Sequence, residues 1–146
     1  MADDSFRHVR RVEFGETDLA GIVHFSNFFR YMEAAETAFL RNVGFSVAWE
    51  TPGGRFGFPR VSATCDYLSP ARFEDELTIA VGIEKLGRSS VSYVHEFSCG
   101  IRKIAVGRIT SVFCRHDHHT GMKSLALPPE LRAALEPHVI ADEEAR

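Results

Sequence analysis

Hydrophobic and polar positions change their spacing along this chain, and the change predicts its elements. Between residues 27 and 43 the apolar side chains recur every three or four positions, as in a helix that buries one face. Ser26 or Asn27 can cap the start of this helix, and Gly44 can end it. The buried face is predicted to comprise Phe28, Met32, Ala35, Phe39 and Val43. Such an aromatic-rich face needs a large surface to pack on, most simply a sheet.

Beyond residue 60 the apolar spacing becomes two, the period of a strand with one buried face. A shorter mixed run near the start of the chain fits another strand. The predicted strands lie near residues 6–14, 61–67, 77–83, 91–99 and 103–115. This order is that of an α+β protein in which one helix packs across an antiparallel sheet. The exposed sheet face and strand edges would then favour association of two copies.

Three further stretches complete the predicted organisation. The Gly/Pro-rich "ETPGGRFGFPR", residues 50–60, predicts a loop that flanks a pocket, and "PPELRAAL", residues 128–135, predicts a short helix. Residues 137–146 predict a frayed acidic tail. No repeat or domain boundary interrupts the chain, so residues 1–146 are expected to form one domain with a core of about 6–135.

Composition and charge narrow the class of protein. A hydrophobic fraction of 45% is enough for one core, and a net charge of −3 argues against a nucleic-acid partner. We expect no signal peptide and no membrane span, because the first residues lack an apolar stretch and no apolar run is long enough. The three widely spaced cysteines, Cys65, Cys99 and Cys114, are interpreted as reduced core residues of a cytoplasmic protein.

The segment "FGETDLAGIVHFSNFF", residues 14–29, carries the most chemistry. Asp18 lies one short loop before the predicted helix, where a carboxylate either forms a turn or acts as nucleophile or general base. Backbone N–H groups around Phe25, at the helix start, can bind an oxyanion. Glu16 is the competing carboxylate. His24 either acts as a general acid or base, has a structural role, or lines the substrate-binding site.

Other polar residues are interpreted more plainly. Glu36 lies at the border of the apolar stripe and could face a cleft. His95 alternates with apolar neighbours and is expected to be half-buried with satisfied hydrogen bonds. A set of three histidines could hold a metal, but a solvated strand end is favoured because only Asp117 accompanies them, so no metal site is predicted. These are His116, His118 and His119.

A turn between two predicted strands, "KLGRSS", is the remaining candidate site. Arg88 beside the hydroxyls of Ser89 and Ser90 could hold a phosphate. The alternative is a plain hairpin turn, which the residue types favour.

The stretch "RVEFGETDLAGIVHFSNFFRYMEAAE", residues 11–36, resembles the signature of the hotdog-fold thioesterases. It is most similar to the branch of 4-hydroxybenzoyl-CoA thioesterase and its acyl-CoA relatives. "CDYLSPARFEDELTI" and "KLGRSS" fit the same family, so the resemblance spans about residues 6–135. Glu16-Thr17-Asp18 stands where many relatives have Asp-Thr-Asp, and His24-Phe25 stands where the acyl-CoA branch often has Tyr-His.

The resemblance implies a hotdog fold, in which an antiparallel sheet wraps a long helix, and a homodimer or homotetramer with active sites between subunits. It implies an acyl-CoA thioesterase that needs no cofactor, since coenzyme A is part of the substrate. Asp18 takes the place of the family's catalytic aspartate, and Gly21 keeps the family's glycine. The backbone amide of Phe25 takes the place of the group that polarises the thioester carbonyl.

By the same resemblance, the turn of Arg88, Ser89 and Ser90 falls where relatives contact CoA phosphates. Two alternative functions remain open. A hotdog dehydratase acting on hydroxyacyl thioesters would use His24 with Asp18 or Glu36. A non-catalytic acyl-CoA binding protein would need no such carboxylate.

Overall fold

The computed structural model describes residues 1–141 and contains nine strands and two α-helices within them. The elements, in chain order, are β1 (Phe6–Arg11), α1 (Asn27–Asn42), β2 (Ala48–Thr51), β3 (Gly54–Gly57), β4 (Arg60–Tyr67), β5 (Glu76–Leu86), β6 (Ser90–Cys99), β7 (Arg102–Val112), β8 (Cys114–Asp117), β9 (Gly121–Ser124) and α2 (Pro129–Leu135). A 3₁₀ turn precedes α1 at Phe14–Glu16 and another follows α2 at Glu136–His138. No helix among the described residues is long and apolar enough to cross a membrane.

The strands form two antiparallel sheets. The main sheet has the order β1-β5-β6-β7-β4, and a smaller sheet has the order β2-β3-β8-β9. The helix α1 lies across the main sheet, which agrees with the predicted α+β arrangement. The predicted alternation of β5, β6 and β7 is confirmed, because their inward positions are buried along the length of each strand.

The helix α1 packs on the sheet through the face that its spacing predicts. The Phe28 ring packs edge-on against Phe97 at 5.3 Å, and Phe39 packs against Tyr93 at 5.9 Å. Between these two contacts, Gly107 of β7 lies directly against Met32 of the helix. A Cβ added at Gly107 would lie 2.1 Å from the Met32 sulfur. Glycine at this position therefore lets the helix approach the sheet.

The prediction of a loop between α1 and the main sheet was wrong. Residues 50–60 do not form a loop, because β2 and β3 pair as a hairpin that continues into β8. Trp49 stacks on Phe56 and Phe113 at 5.6 Å each, so aromatic contacts across the small sheet stabilise the hairpin. The hairpin does flank a small cleft, as predicted, but it does not border the cleft that contains Asp18.

The strand β4 is exposed along nearly its whole length, although its sequence alternates like that of a half-buried strand. It is an edge strand that pairs on one side only, with β7. Val61 is 63% exposed and Tyr67 46% exposed. The main sheet thus ends in an open, partly apolar strand.

The end of the described chain is held on the sheet and is not frayed from residue 137 as expected. Val139 forms an isolated parallel bridge with Ile83, and the Ile140 amide donates to the Ile83 carbonyl at 2.9 Å. These contacts cover the part of β5 that extends beyond β1. The remainder of the predicted tail, residues 142–146, lies outside the described residues.

Candidate active site

Asp18 organises the loop that leads into α1. Its Oδ1 accepts the Ala20 amide at 2.9 Å and the Ile22 amide at 3.5 Å, and its own amide donates to the Ile22 carbonyl at 2.9 Å. Gly21 completes this turn with a φ of +78°, a conformation that favours glycine. Asp18 therefore does form a turn, the first of the two roles considered for it. The turn occupies one carboxylate oxygen, and Oδ2 bonds to none of the residues 1–141.

Of the backbone amides of Phe25, Ser26 and Asn27 at the start of α1, one has no acceptor among the described residues. The Asn27 amide donates to the His24 carbonyl at 2.9 Å, and the Ser26 amide donates to the His24 ring at 3.3 Å. The Phe25 amide has no acceptor within the described chain. The group that could polarise a carbonyl oxygen is thus narrowed to the N–H of Phe25.

His24 is exposed and is engaged locally. Its Nδ1 lies 2.8 Å from the Ser26 hydroxyl, and its ring stacks on Phe25 at 4.6 Å. Ser26 makes no side-chain cap bond to α1, contrary to the capping role considered for it, and its backbone already has helical φ and ψ values. These contacts fit a structural role at the entrance to the helix.

Asp18 and Phe25 line the same cleft, which has a volume of ≈ 430 Å³. Its walls are mostly apolar and come from the loop, from the start of α1 and from the end of β4 with the segment that follows it. Besides Asp18 and Phe25, the lining consists of Ile22, Val23, Phe28, Tyr67, Leu68, Ser69, Pro70 and Ala71. A carboxylate and an open amide beside an apolar wall suit an apolar acyl group whose carbonyl is to be attacked.

Tyr67 belongs to this cleft, although the sequence did not single it out. Its hydroxyl donates to the Phe25 carbonyl at 3.1 Å, and its ring packs edge-on against Phe28 at 5.3 Å. The only sequence signal was its place at the end of a strand, since the bond joins residues 42 positions apart.

Glu16, the competing carboxylate, is held in a structural network. It accepts a bond from the Arg10 guanidinium, from the Tyr31 hydroxyl at 2.9 Å and from the Glu13 amide at 2.8 Å. Burial is the main reason that the pKa of Tyr31 lies above its ordinary range, and the bond to Glu16 adds to it. With both oxygens engaged, Glu16 fixes the loop and does not line the cleft.

Glu36 is also structural. It is fully buried on the sheet-facing side of α1, where it binds the Arg60 guanidinium and accepts a hydrogen bond from the Ser111 hydroxyl at 3.2 Å. Burial raises its pKa, and the Arg60 charge opposes that rise. Glu36 was expected to lie at the border of the apolar stripe and to be able to face a cleft; it is instead fully buried and does not line the cleft that contains Asp18.

The turn of Arg88, Ser89 and Ser90 lies at the other end of the main sheet. The loop of Asp18 meets the chain just before β5, through the bridge between Ile22 and Arg72, whereas Arg88 follows the last residue of β5. Eleven strand residues span about 33 Å. Within one chain the two candidate sites are therefore not brought together.

The histidine-rich turn forms the exposed end of the β8–β9 hairpin. His116 and His118 lie 5.8 Å apart, ring to ring, and line a small cleft of ≈ 170 Å³ with Glu50 and Arg55. Within residues 1–141 no group of three His, Cys, Asp or Glu side chains is placed to hold a metal ion. A larger groove of ≈ 670 Å³ on the outer sheet face contains neither Asp18 nor Phe25.

His95 differs from its prediction, because it is fully buried and unpaired. Neither ring nitrogen has a partner in hydrogen-bonding geometry among the described residues, and the same holds for the neighbouring Tyr93 hydroxyl. Burial lowers the pKa of His95 to about 4, and the nearby Gly107 backbone acts in the opposite direction. His95 is thus a neutral core residue at physiological pH.

Comparison with known proteins shows the family of the chain. Residues 12–135 match the thioesterase-like superfamily. The chain is 34% identical over 91 residues to the 4-hydroxybenzoyl-CoA thioesterase of Pseudomonas sp. (strain CBS-3), covering 61% of this chain and 64% of that protein, a little under two thirds. It is 29% identical over 121 residues to a 1,4-dihydroxy-2-naphthoyl-CoA hydrolase of Synechococcus sp. (strain WH7803), covering 77% and 79%.

A solved gentisyl-coenzyme A thioesterase superposes with a TM-score of 0.74 at 30% identity, covering 90% of this chain and 99% of that one. The hotdog fold expected from the sequence is confirmed by such structural relatives. All three named relatives have names that specify an aromatic CoA thioester.

Proposed function

The chain belongs to the thioesterase-like superfamily, and on that premise we propose that it hydrolyses CoA thioesters at the Asp18 cleft. The observation that carries the proposal is that Asp18 and Phe25 line one apolar cleft. Within residues 1–141, Asp18 has one carboxylate oxygen without a hydrogen-bond partner, and the Phe25 amide has no acceptor. Thioester hydrolysis needs a nucleophile or base and a donor for the developing oxyanion, and these two groups supply them.

In this proposal the Phe25 N–H binds the thioester oxygen. The Asp18 carboxylate either attacks the carbonyl carbon or takes a proton from a water that does so. The carbon–sulfur bond then breaks, and CoA leaves as a thiolate that takes up a proton. In the route through attack by Asp18, a water then hydrolyses the acyl–Asp18 anhydride, which releases the acid and restores the carboxylate. Thiolate is a good leaving group, so no strong acid is required. His24 is given no part in the proposed proton transfers because it does not line the Asp18 cleft.

The two routes differ in the fate of an oxygen atom. A single turnover in ¹⁸O-water places ¹⁸O directly in the product acid if Asp18 acts as a base. If Asp18 attacks and water then opens the acyl–Asp18 anhydride at the Asp18 carbonyl, both carboxylate oxygens of the first product are unlabelled and the label enters Asp18. Water attack at the acyl carbonyl would label the acid as the base route does, so ¹⁸O in the Asp18 peptide, measured by mass spectrometry, identifies the nucleophilic route.

For the acyl group we propose a small aromatic acid. Phe25, Phe28 and Tyr67 present three rings to the cleft, where an added ring can pack edge-on or offset. The relatives named above act on ring-bearing acyl groups according to their names. A flexible aliphatic chain would gain less from these rings and would lose more conformational entropy on binding.

The proposed CoA site requires a second copy of the chain. Arg88, which would bind a CoA phosphate, lies about 33 Å from the Asp18 end of the sheet. The open edge of β4 offers the route to a dimer. Arg60, Ser90 and Val112 lie together at the end opposite Tyr67, as the strand registers fix. Antiparallel pairing of two β4 strands would bring that end of the partner beside the Asp18 cleft.

A panel of thioesters tests the proposed activity. Free thiol is measured with benzoyl-, 4-hydroxybenzoyl-, acetyl-, hexanoyl- and palmitoyl-CoA. Release that is fastest with the aromatic thioesters supports the full proposal, and release from aliphatic thioesters alone would overturn the acyl preference. With crotonyl-CoA, hydration at the double bond without thiol release would indicate a dehydratase. Tight binding of all thioesters without turnover would indicate a binding protein.

Mixing two impaired variants, assayed at substrate concentrations well below KM, tests the shared site. Asp18→Asn and Arg88→Gln chains are unfolded together and refolded, so that mixed dimers form. If Arg88 serves the partner's cleft, each mixed dimer contains one intact site, and activity returns toward about a quarter of the wild-type value for random pairing. If Arg88 serves its own chain, no mixed dimer has an intact site, and activity stays at the level of the two variants.

A further inference from the structure

The hydroxyl of Tyr67 joins the edge of the main sheet to the residue that carries the open amide. It donates to the Phe25 carbonyl at 3.1 Å, while its ring packs edge-on against Phe28 at 5.3 Å. Tyr67 itself is fixed by β4, where it pairs with Ala105 of β7. We infer that Tyr67 is a positioning residue, which holds the Phe25 backbone so that its amide points at the thioester oxygen.

Phe25 needs such a restraint because its own side chain does not supply one. Its ring is 62% exposed and its only ring contact within residues 1–141 is with the neighbouring His24. Its carbonyl also accepts the Phe28 amide, at 3.3 Å, but that bond lies within the first helical turn. Within the described residues, Tyr67 is the one side chain that bonds to the Phe25 backbone.

The restraint acts on direction more than on distance. The amide and the carbonyl of Phe25 share one Cα, so fixing the carbonyl limits the rotation that would swing the amide away. Hydrogen bonds weaken steeply with misalignment, and a donor to an oxyanion is effective only when it is aimed beforehand. Burial raises the pKa of Tyr67, and the nearby Cys65 adds to the rise, so the hydroxyl remains a donor at neutral pH.

The inference rests on the proposed function, and the Tyr67→Phe variant tests it by removing one oxygen while keeping the ring. We expect kcat to fall about tenfold, the scale of a modest misplacement of a catalytic group, while KM stays nearly constant. Tyr67→Ala also removes the ring from the cleft and should raise KM. The matched control is Tyr93→Phe, which deletes a buried hydroxyl that has no partner among the described residues and should leave kcat unchanged.

A rise in KM without a fall in kcat for Tyr67→Phe would overturn the inference and leave Tyr67 as a lining residue. A kcat equal to that of the Tyr93→Phe control would also overturn it. Backbone ¹⁵N relaxation gives a readout that needs no activity. The order parameter of the Phe25 amide should fall in Tyr67→Phe and not in Tyr93→Phe, and an unchanged value contradicts the inference.

These measurements separate the inference from the proposed function. If wild type releases no thiol from any thioester, the proposed function fails while the relaxation data still decide whether Tyr67 restrains Phe25. If wild type is active and Tyr67→Phe matches it, the proposed function stands and only the positioning role is rejected.

Discussion

Removing Arg60 should destabilise the fold by leaving the buried carboxylate of Glu36 without its partner. Glu36 is fully buried, and the Arg60 side chain is 31% exposed. Breaking a buried pair costs about 3 kcal/mol at the lower end of the known range, the end that fits a partly solvated arginine. Arg60 also donates to the Phe58 carbonyl at 3.2 Å, a bond that contributes about 1 kcal/mol. Arg60→Ala should therefore lower the unfolding free energy by about 4 kcal/mol.

The effect should depend on pH with a definite sign. A carboxyl whose folded-state pKa lies above its unfolded value stabilises the fold when protonated, so its contribution is present below the unfolded pKa and is lost as the pH rises through the folded pKa. Burial raises the folded-state pKa of Glu36, and the Arg60 guanidinium is the main group that lowers it. Without Arg60 the folded pKa rises further. The deficit of Arg60→Ala should be large at about pH 8 and smaller at about pH 5.

Urea unfolding followed by Trp49 fluorescence measures the unfolding free energies of wild type and Arg60→Ala at each pH. All samples are kept at one protein concentration, because association adds to apparent stability. The control is the double variant Glu36→Gln/Arg60→Ala, which has no buried charge and should retain only the deficit of about 1 kcal/mol from the Phe58 bond. A deficit for Arg60→Ala that does not change with pH, or that Glu36→Gln fails to reduce, would refute the reasoning.

Three further substitutions have expected outcomes. Gly107→Ala should lower the unfolding free energy by about 1–3 kcal/mol, because the new Cβ would lie 2.1 Å from the Met32 sulfur in a filled core; Gly15→Ala, with open space around it, should be nearly neutral in the same urea assay. Gly21→Ala should lower the unfolding free energy by about 1–2 kcal/mol, because alanine disfavours the positive φ of this residue. It should also reduce kcat by disturbing the Asp18 turn, and unchanged kinetics would show that the turn tolerates strain. Arg88→Gln should raise KM for CoA thioesters about tenfold, the loss of one charge-assisted bond, with kcat unchanged in steady-state assays; a fall in kcat alone would argue against phosphate binding.

The main sheet and the long helix were readable from the sequence because their periodic patterns are long. Strands β5 to β7 have 10 or 11 residues each, and α1 has 16. The small sheet was missed because each of its four strands has four residues. The aromatic stack of Trp49, Phe56 and Phe113 that supports it joins distant parts of the chain.

The candidate site could be partly predicted because several of its residues lie close together in the sequence. Asp18, Gly21 and Phe25 lie within one continuous segment, so their spacing could be judged directly. Contacts between distant residues left no such signal. The bond from Tyr67 to Phe25 spans 42 positions, and the partnership of Arg60 with Glu36 spans 24. The exposure of β4 was missed because alternation does not reveal whether a strand lies at an edge.

Thiol release by Asp18→Asn on the best thioester of the panel tests the central claim most directly. The matched control is Asp4→Asn, which makes the same chemical change on an exposed residue that belongs neither to β4 nor to the lining of the Asp18 cleft. We expect kcat/KM to fall by about 100-fold or more for Asp18→Asn, the scale for losing a base or nucleophile, and to stay near the wild-type value for Asp4→Asn. Wild-type turnover in Asp18→Asn would contradict the account and remove Asp18 from the reaction.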